Sequence, residues 1–177
     1  MQDIGIFFAS CTNRTAGVAD DLATRLGIDA EHVHDVYDCS AADLARYRVI
    51  VAGSPTWDRA AVPRDWQRVL AALGDCDLSE SSVALFGLGD AVGYPKSFCD
   101  AMGLLHDGLC ARGARLVGTR PHDEFAVEAS LAMRDGRCCG LALDCDNQEA
   151  ELDQRLDAWI AQLQVELPGL LGGGNKG

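Results

Sequence analysis

The chain has 177 residues, 48% of them apolar and 24% charged, a balance that fits one folded domain with its own core and excludes disorder as the main state. Its 27 acidic against 15 basic side chains leave a net charge of −12, which repels nucleic acid and anionic lipid and suits a basic protein partner. No apolar run approaches the roughly 20 residues of a membrane span, and the start, Met-Gln-Asp-Ile-Gly, has no basic region or signal-peptide core, so a cytoplasmic protein is expected.

The elements alternate along the chain. Residues 4–8 form a short apolar run, followed by helical spacing at Ala19, Leu22, Ala23 and Leu26. Residues 33–36 read as a weaker strand, and the β-branched run 49–52 as a buried one. Trp66, Val69, Leu70 and Leu73 return to helical spacing before the strand at 83–86. Phe98, Ala101, Met102, Leu105 and Leu109 mark another helical face, Leu116 and Val117 another strand, and 141–143 a further one. Leu152, Leu156, Trp159, Ile160 and Leu163 give the clearest amphipathic helix. Residues 119–139 lack a clear period and read as an insertion interrupting the last strand. The expectation is one α/β domain over 1–167, with a parallel sheet covered on both faces, and a flexible Gly-rich tail over 168–177.

Eight cysteines stand at 11, 39, 76, 99, 110, 138, 139 and 145, with no pair at C-x-x-C spacing, so they predict neither a zinc site nor a redox pair. Most are expected to be small buried hydrophobes.

In doubly wound sheets ligands lie beyond the carboxyl ends of the strands, which directs attention to three loops. The first, Ser10-Cys11-Thr12-Asn13-Arg14-Thr15, offers hydroxyls and backbone N–H groups at a helix start, a phosphate-binding arrangement that also fits a plain polar cap. It matches neither G-x-x-x-x-G-K-[ST] nor G-x-G-x-x-G. Asn13 tolerates the positive φ that a tight turn would need. Cys11 is read either as a redox-responsive thiol or as a residue serving only through its backbone. The second loop, residues 54–61, carries Trp57, which taken alone reads sooner as a ring folded back on the core than as a ligand contact. The third, residues 87–94, has three glycines and Tyr94. Together, two aromatics, a hydroxyl loop and a glycine loop fit a planar aromatic ligand with a phosphate tail.

Over residues 4–163 the chain resembles the flavodoxins of the long-chain type. Their T-x-T-G-x-T loop is matched by Ser10, Thr12 and Thr15, and their P-T-W loop by Pro55, Thr56 and Trp57. G-x-G-D-x-x-G-Y is matched by Gly87, Gly89, Asp90, Gly93 and Tyr94; Phe98, Asp100, Ala101, Met102 and Gly103 follow it. G-L-A-L-D-x-D-N-Q is complete over 140–148, and 119–139 matches the insertion that defines the long-chain members.

The resemblance implies a three-layer, doubly wound flavodoxin-like fold, with a five-stranded parallel sheet in the order 2-1-3-4-5. It implies a low-potential one-electron carrier using FMN, shuttling between redox proteins through oxidised, neutral semiquinone and hydroquinone states, rather than an enzyme. It assigns Trp57 and Tyr94 to the two faces of the isoalloxazine. Ser10, Thr12, Thr15 and the backbone of Cys11, Asn13 and Arg14 go to the phosphate, with Thr56, beside Pro55, near the phosphate or ribityl end. Asp90 is assigned to the ring and Asp146 to the ribityl hydroxyls. Backbone groups of Asp58, Arg59, Leu88 and Gly89 would contact the ring, and Ser97 and Cys99 stand at further contact positions. The carbonyl near Asp58 would accept from flavin N5–H.

Three positions depart from the family: Asn13 replaces a glycine, Arg14 either bonds the phosphate directly or points to solvent, and Arg59 replaces an apolar residue. The implied partners are redox proteins with basic docking surfaces, a reductase as donor and an iron–sulfur or radical enzyme as acceptor, meeting a monomer. The alternatives are an FMN-dependent NAD(P)H or quinone reductase of the same fold and a docking module that has lost its cofactor.

Overall fold

The computed structural model describes residues 2–57, 62–74, 76–121, 127 and 129–170. A parallel sheet is built from β1 (Gln2–Phe8), β2 (Val33–Asp35), β3 (Tyr47–Pro55), β4 (Ser82–Leu88), β5 (Arg115–Val117) and, late in the chain, β9 (Leu141–Leu143). The order is β2-β1-β3-β4-β5, with β9 also on β4. β5 pairs with residues 82–84 and β9 with residues 86–88 of β4. The fifth position is therefore one strand line cut in two, as the interrupted last strand predicts.

Alternating side chains on the strands feed two cores. Phe7, Ile50, Ala52, Val83 and Leu85 face α2 (Ala41–Leu44), α3 (Arg64–Ala72) and α4 (Asp100–Cys110), where they meet Leu44, Trp66, Val69, Met102, Leu105 and Leu109. Ile6, Val49, Val51, Ala84, Phe86 and Leu141 face α1 (Arg14–Leu26) and α5 (Leu152–Glu166), where they meet Ala19, Leu22, Leu156, Trp159 and Leu163. Both faces of β3 and β4 are covered, which is why these strands read as unbroken apolar runs.

The helix ends follow local chemistry. Asn13 precedes α1 at φ 62, and Gly27 closes it at φ 66, where the N–H of Ile28 returns to the Ala23 carbonyl at 2.9 Å. α2 is a four-residue turn opened by a reciprocal cap, with the N–H of Ser40 donating to Asp43 Oδ2 at 2.8 Å. The helical spacing of 152–163 anticipates α5, but no period marks α2.

The insertion is ordered where described. β6 (Arg120–Pro121), β7 (Met133–Arg134) and β8 (Arg137–Cys138) make a small antiparallel sheet in the order β6-β8-β7. It is pinned to α4 through the buried Asp100, whose Oδ1 accepts from the N–H of Leu131 at 2.6 Å. Gly103 lets the backbones meet: a Cβ there would lie 2.2 Å from the Leu131 carbonyl oxygen. Of the tail, Leu170 packs against the α1/α5 core, and residues 171–177 lie outside the described residues. Among the described residues no helix is long and apolar enough to cross a membrane.

Candidate functional site

The carboxyl ends of β1, β3, β4 and β9 deliver four loops to one edge of the sheet, and between them lies a cleft of about 580 Å³. Thr12, Arg14 and Thr15 line it from the first loop, Pro55, Thr56 and Trp57 from the second, and Leu88, Gly89, Asp90, Tyr94 and Ser97 from the third. Asp146 lines it from the fourth. The three loops singled out in the sequence thus share one cavity.

The first loop is shaped to receive an anion. Asn13 holds the left-handed turn that presents the start of α1, whose first turn carries no acidic residue. Asn13 makes no side-chain cap bond, so the helix-start N–H groups are not taken by it. Thr15 is 1% exposed. Ser10 Oγ is shielded from solvent and has no hydrogen-bond partner among the described residues. A buried hydroxyl without a partner is costly, and an acceptor bound in the loop would satisfy it.

Two large rings mark the rim, Trp57 at 50% and Tyr94 at 64% exposure. Trp57 is therefore not folded back into the core. Rings left open on the walls of one cleft suit a flat apolar ligand.

The acidic residues have distinct tasks. Asp144, 1% exposed, accepts from the backbone N–H of Ala91 at 3.0 Å, Asp146 at 3.2 Å and Asn147 at 3.0 Å, and from Asn147 Nδ2 at 2.9 Å. It ties the third loop to the fourth. Asp90 accepts from the N–H of Gly93 at 2.7 Å and of Val92 at 3.0 Å, and from Asn147 Nδ2 at 2.9 Å. These donors, Gly93 first, hold its carboxyl below the usual carboxylate range against the opposing effect of burial. Asp146 forms an ion pair with Arg14 across the cleft. Thr56 Oγ1 accepts from the N–H of Ala101 at 3.2 Å, so the second loop is tied to α4.

Some sequence-singled residues do not line the cleft. Cys11 and Asn13 are exposed in the first loop without lining it, and Ser10 is not among the lining residues. Cys99 is fully buried; its thiol donates to the Gly87 carbonyl at 3.4 Å, and burial pushes its pKa up. Its backbone, at φ 57, starts α4. Asp58 and Arg59 lie outside the described residues. Sequence reasoning missed Phe98 and Cys145 as lining residues. Phe98 sits in the family motif but reads as core, and Cys145 carries no signal of its own.

Comparison with known proteins agrees with this geometry. The family model described as Flavodoxin matches residues 6–159. A flavodoxin of Nostoc sp. is 37% identical over 165 residues, covering 93% of this chain and 97% of that relative. Flavodoxin 1 of Azotobacter vinelandii is 39% identical over 173 residues, covering 94% and 98%. Among solved structures, a Fusobacterium nucleatum flavodoxin bound to flavin mononucleotide superimposes with a TM-score of 0.87 at 28% identity, covering 94% of this chain and 99% of that one. With the sheet order, the interrupted fifth strand and the four-loop cleft, these matches establish that the chain belongs to the flavodoxin family, at the size of its long-chain members.

Proposed function

We propose that the cleft binds FMN and that the protein carries single electrons between redox proteins. The observation that carries this reading is the meeting of Trp57 and Tyr94 with Thr12, Arg14 and Thr15 in one cavity, in a loop whose buried Ser10 hydroxyl lacks a partner among the described residues. A phosphate in the first loop would supply the acceptor that hydroxyl needs. The relative from Fusobacterium nucleatum is an FMN-bound flavodoxin, and likeness to it supports the same ligand here.

Bound flavin supplies the one-electron chemistry, and the protein turns over no substrate of its own. Its own residues bind and orient. The N–H groups at the start of α1, with Thr12 and Thr15, would hold the phosphate. Trp57 and Tyr94 would cover the two ring faces and keep water from them. Asp90, held ionised by its three donors, would present a fixed acceptor near the ring, and Asp146 one near the ribityl chain. Backbone contacts from Asp58 and Arg59 belong to the same reading, on the family resemblance alone. The acidic surface suits basic docking faces on a reductase as donor and an iron–sulfur or radical enzyme as acceptor. A cytoplasmic monomer is part of the proposal.

The test is a reductive titration of the purified protein followed by visible absorbance. A yellow protein that takes up electrons one at a time, with a long-wavelength band rising and falling, supports the carrier. Bleaching in a single two-electron step, with steady oxidation of NAD(P)H by the isolated protein, would turn the reading to a reductase. A colourless protein that leaves the fluorescence of added FMN unquenched would overturn the cofactor assignment.

A further inference from the structure

Arg14 opens α1 on one side of the cleft, and Asp146 stands in the loop after β9 on the other. They are 132 positions apart in sequence, yet Arg14 Nη1 donates to Asp146 Oδ1, and both side chains line the cleft together with Thr12 and Thr15. Arg14 is the only cationic side chain among the described lining residues. We propose that this ion pair is a strap across the phosphate end of the cleft, kept when FMN is bound, which slows FMN release. The inference rests on the FMN reading of the site.

Both ends of the strap are anchored. Asn13 fixes the backbone just before Arg14 in the left-handed turn. The N–H of Asp146 is held by the buried Asp144, so the loop that carries the carboxylate is tied down. The pair therefore joins two positioned loops, so forming it orders two side chains but does not also have to order the backbone that carries them.

The chemistry of the cation allows the strap to persist over a ligand. A guanidinium has five N–H donors in a planar fork, so an edge engaged by Asp146 leaves others for a phosphate oxygen. Arg14 then need not exchange one anion for the other. It bridges them, and it offsets the repulsion between the phosphate and Asp146. In a chain of net charge −12 that offset is local and necessary.

Ligand that leaves past the strap must first open it, and because the pair is closed in this structure as well, ligand that enters must open it too. Only the direct bond from Arg14 to the phosphate is made in the complex alone and so falls on release rather than on uptake. Both side chains are about half exposed, so salt weakens the pair.

The experiment measures FMN release, from the return of flavin fluorescence after dilution of the loaded protein. The proteins are wild type, Arg14→Gln, Asp146→Asn and the double variant, each at low and high salt. Thermal unfolding of the four apoproteins checks that all are folded. Each single variant is expected to release FMN about two to five times faster, the range of one partly exposed ion pair. The double variant is expected to be no faster than Arg14→Gln, because without Arg14 the carboxylate of Asp146 has no strap to form. Salt is expected to accelerate the wild type more than the variants. Rates that multiply in the double variant would overturn the strap in favour of two independent contacts. An effect from only one of the two residues would overturn it as well. Slower release from Asp146→Asn would show that the pair obstructs the ligand rather than retaining it. Wild-type protein that never takes up FMN would overturn the cofactor reading itself.

Discussion

Asn147 reaches across from the loop after β9 and donates its Nδ2 to Asp90 Oδ1 at 2.9 Å, while the same nitrogen lies 2.9 Å from Asp144 Oδ2. One amide thus couples the acceptor at the cleft to the buried carboxylate behind it. Asn147→Ala removes a donor from both. The expected loss is about 1–2 kcal/mol of unfolding free energy at neutral pH, read by urea denaturation. Asp90 has a depressed pKa in the folded state, so its contribution is present above the unfolded value near about 3.9 and is lost as pH falls through the folded one. The gap between wild type and variant should therefore narrow below about pH 4. A gap that stays constant as the pH is taken well below that value would show that Asp90 is not coupled to Asn147.

Gly103→Ala should loosen the insertion specifically. The added Cβ would sit 2.2 Å from the Leu131 carbonyl oxygen, a backbone atom that cannot swing aside. The expected cost is about 1–3 kcal/mol. Hydrogen exchange of residues 129–139 should rise before that of β1, β3 and β4. Uniform acceleration across the sheet would mean that the insertion is not a separate layer of stability.

The Tyr47 hydroxyl lies 2.8 Å from His34 Nε2 and 3.2 Å from His32 Nδ1. With both rings neutral, its one proton can go to the bare nitrogen of one ring while its oxygen accepts from the N–H of the other. Burial, followed by the positive charges of His32 and Arg46, lowers the His34 pKa, with Asp43 opposing. A lowered folded pKa means the unfolded state binds the proton more readily. Stability is then complete above the unfolded histidine value of about 6.5 and declines as pH falls below it. His34→Gln should flatten that decline between about pH 6.5 and pH 5, measured as urea midpoints. Equal slopes in the two proteins would remove the role of this ring.

Thiol labelling should sort the cysteines by burial. Cys11 is exposed, whereas Cys99, Cys138 and Cys139 are buried. Cys39 is also buried, and desolvation pushes its thiol up to about 11. An aromatic disulfide reagent should modify Cys11 first and leave the buried four until unfolding, as mass spectrometry of timed samples would show. Early loss of Cys99 would reveal local opening of the turn that starts α4.

The alternation of elements was legible because β3 and β4 are buried on both faces and α5 on one, which imprints an apolar run or a helical period on the residues. Short pieces left no such imprint. α2 has four residues and the strands of the insertion two each, too few for a period to show. At the cleft, hydroxyls, glycines and rim aromatics were readable by type, and Asn13 was readable as a turn residue with positive φ. Cys99 adopts the same left-handed backbone, but nothing in a cysteine signals it. The meeting of Arg14 with Asp146 needs the closed sheet, because only the order of strands brings the first and last loops together.

The split fifth strand also bears on how the protein behaves when crowded with its own copies. An open sheet edge is a template for the strand of another chain, and the hazard grows with the length of edge offered. Here one margin is β2, three residues long, and the other is divided between β5 and β9, also three residues each. Neither margin presents a long, straight row of free backbone groups, so edge-to-edge aggregation finds little to build on. Net charge of one sign adds long-range repulsion between copies. In a sheet whose central strands are strongly apolar, the brevity of the borders works against strand addition.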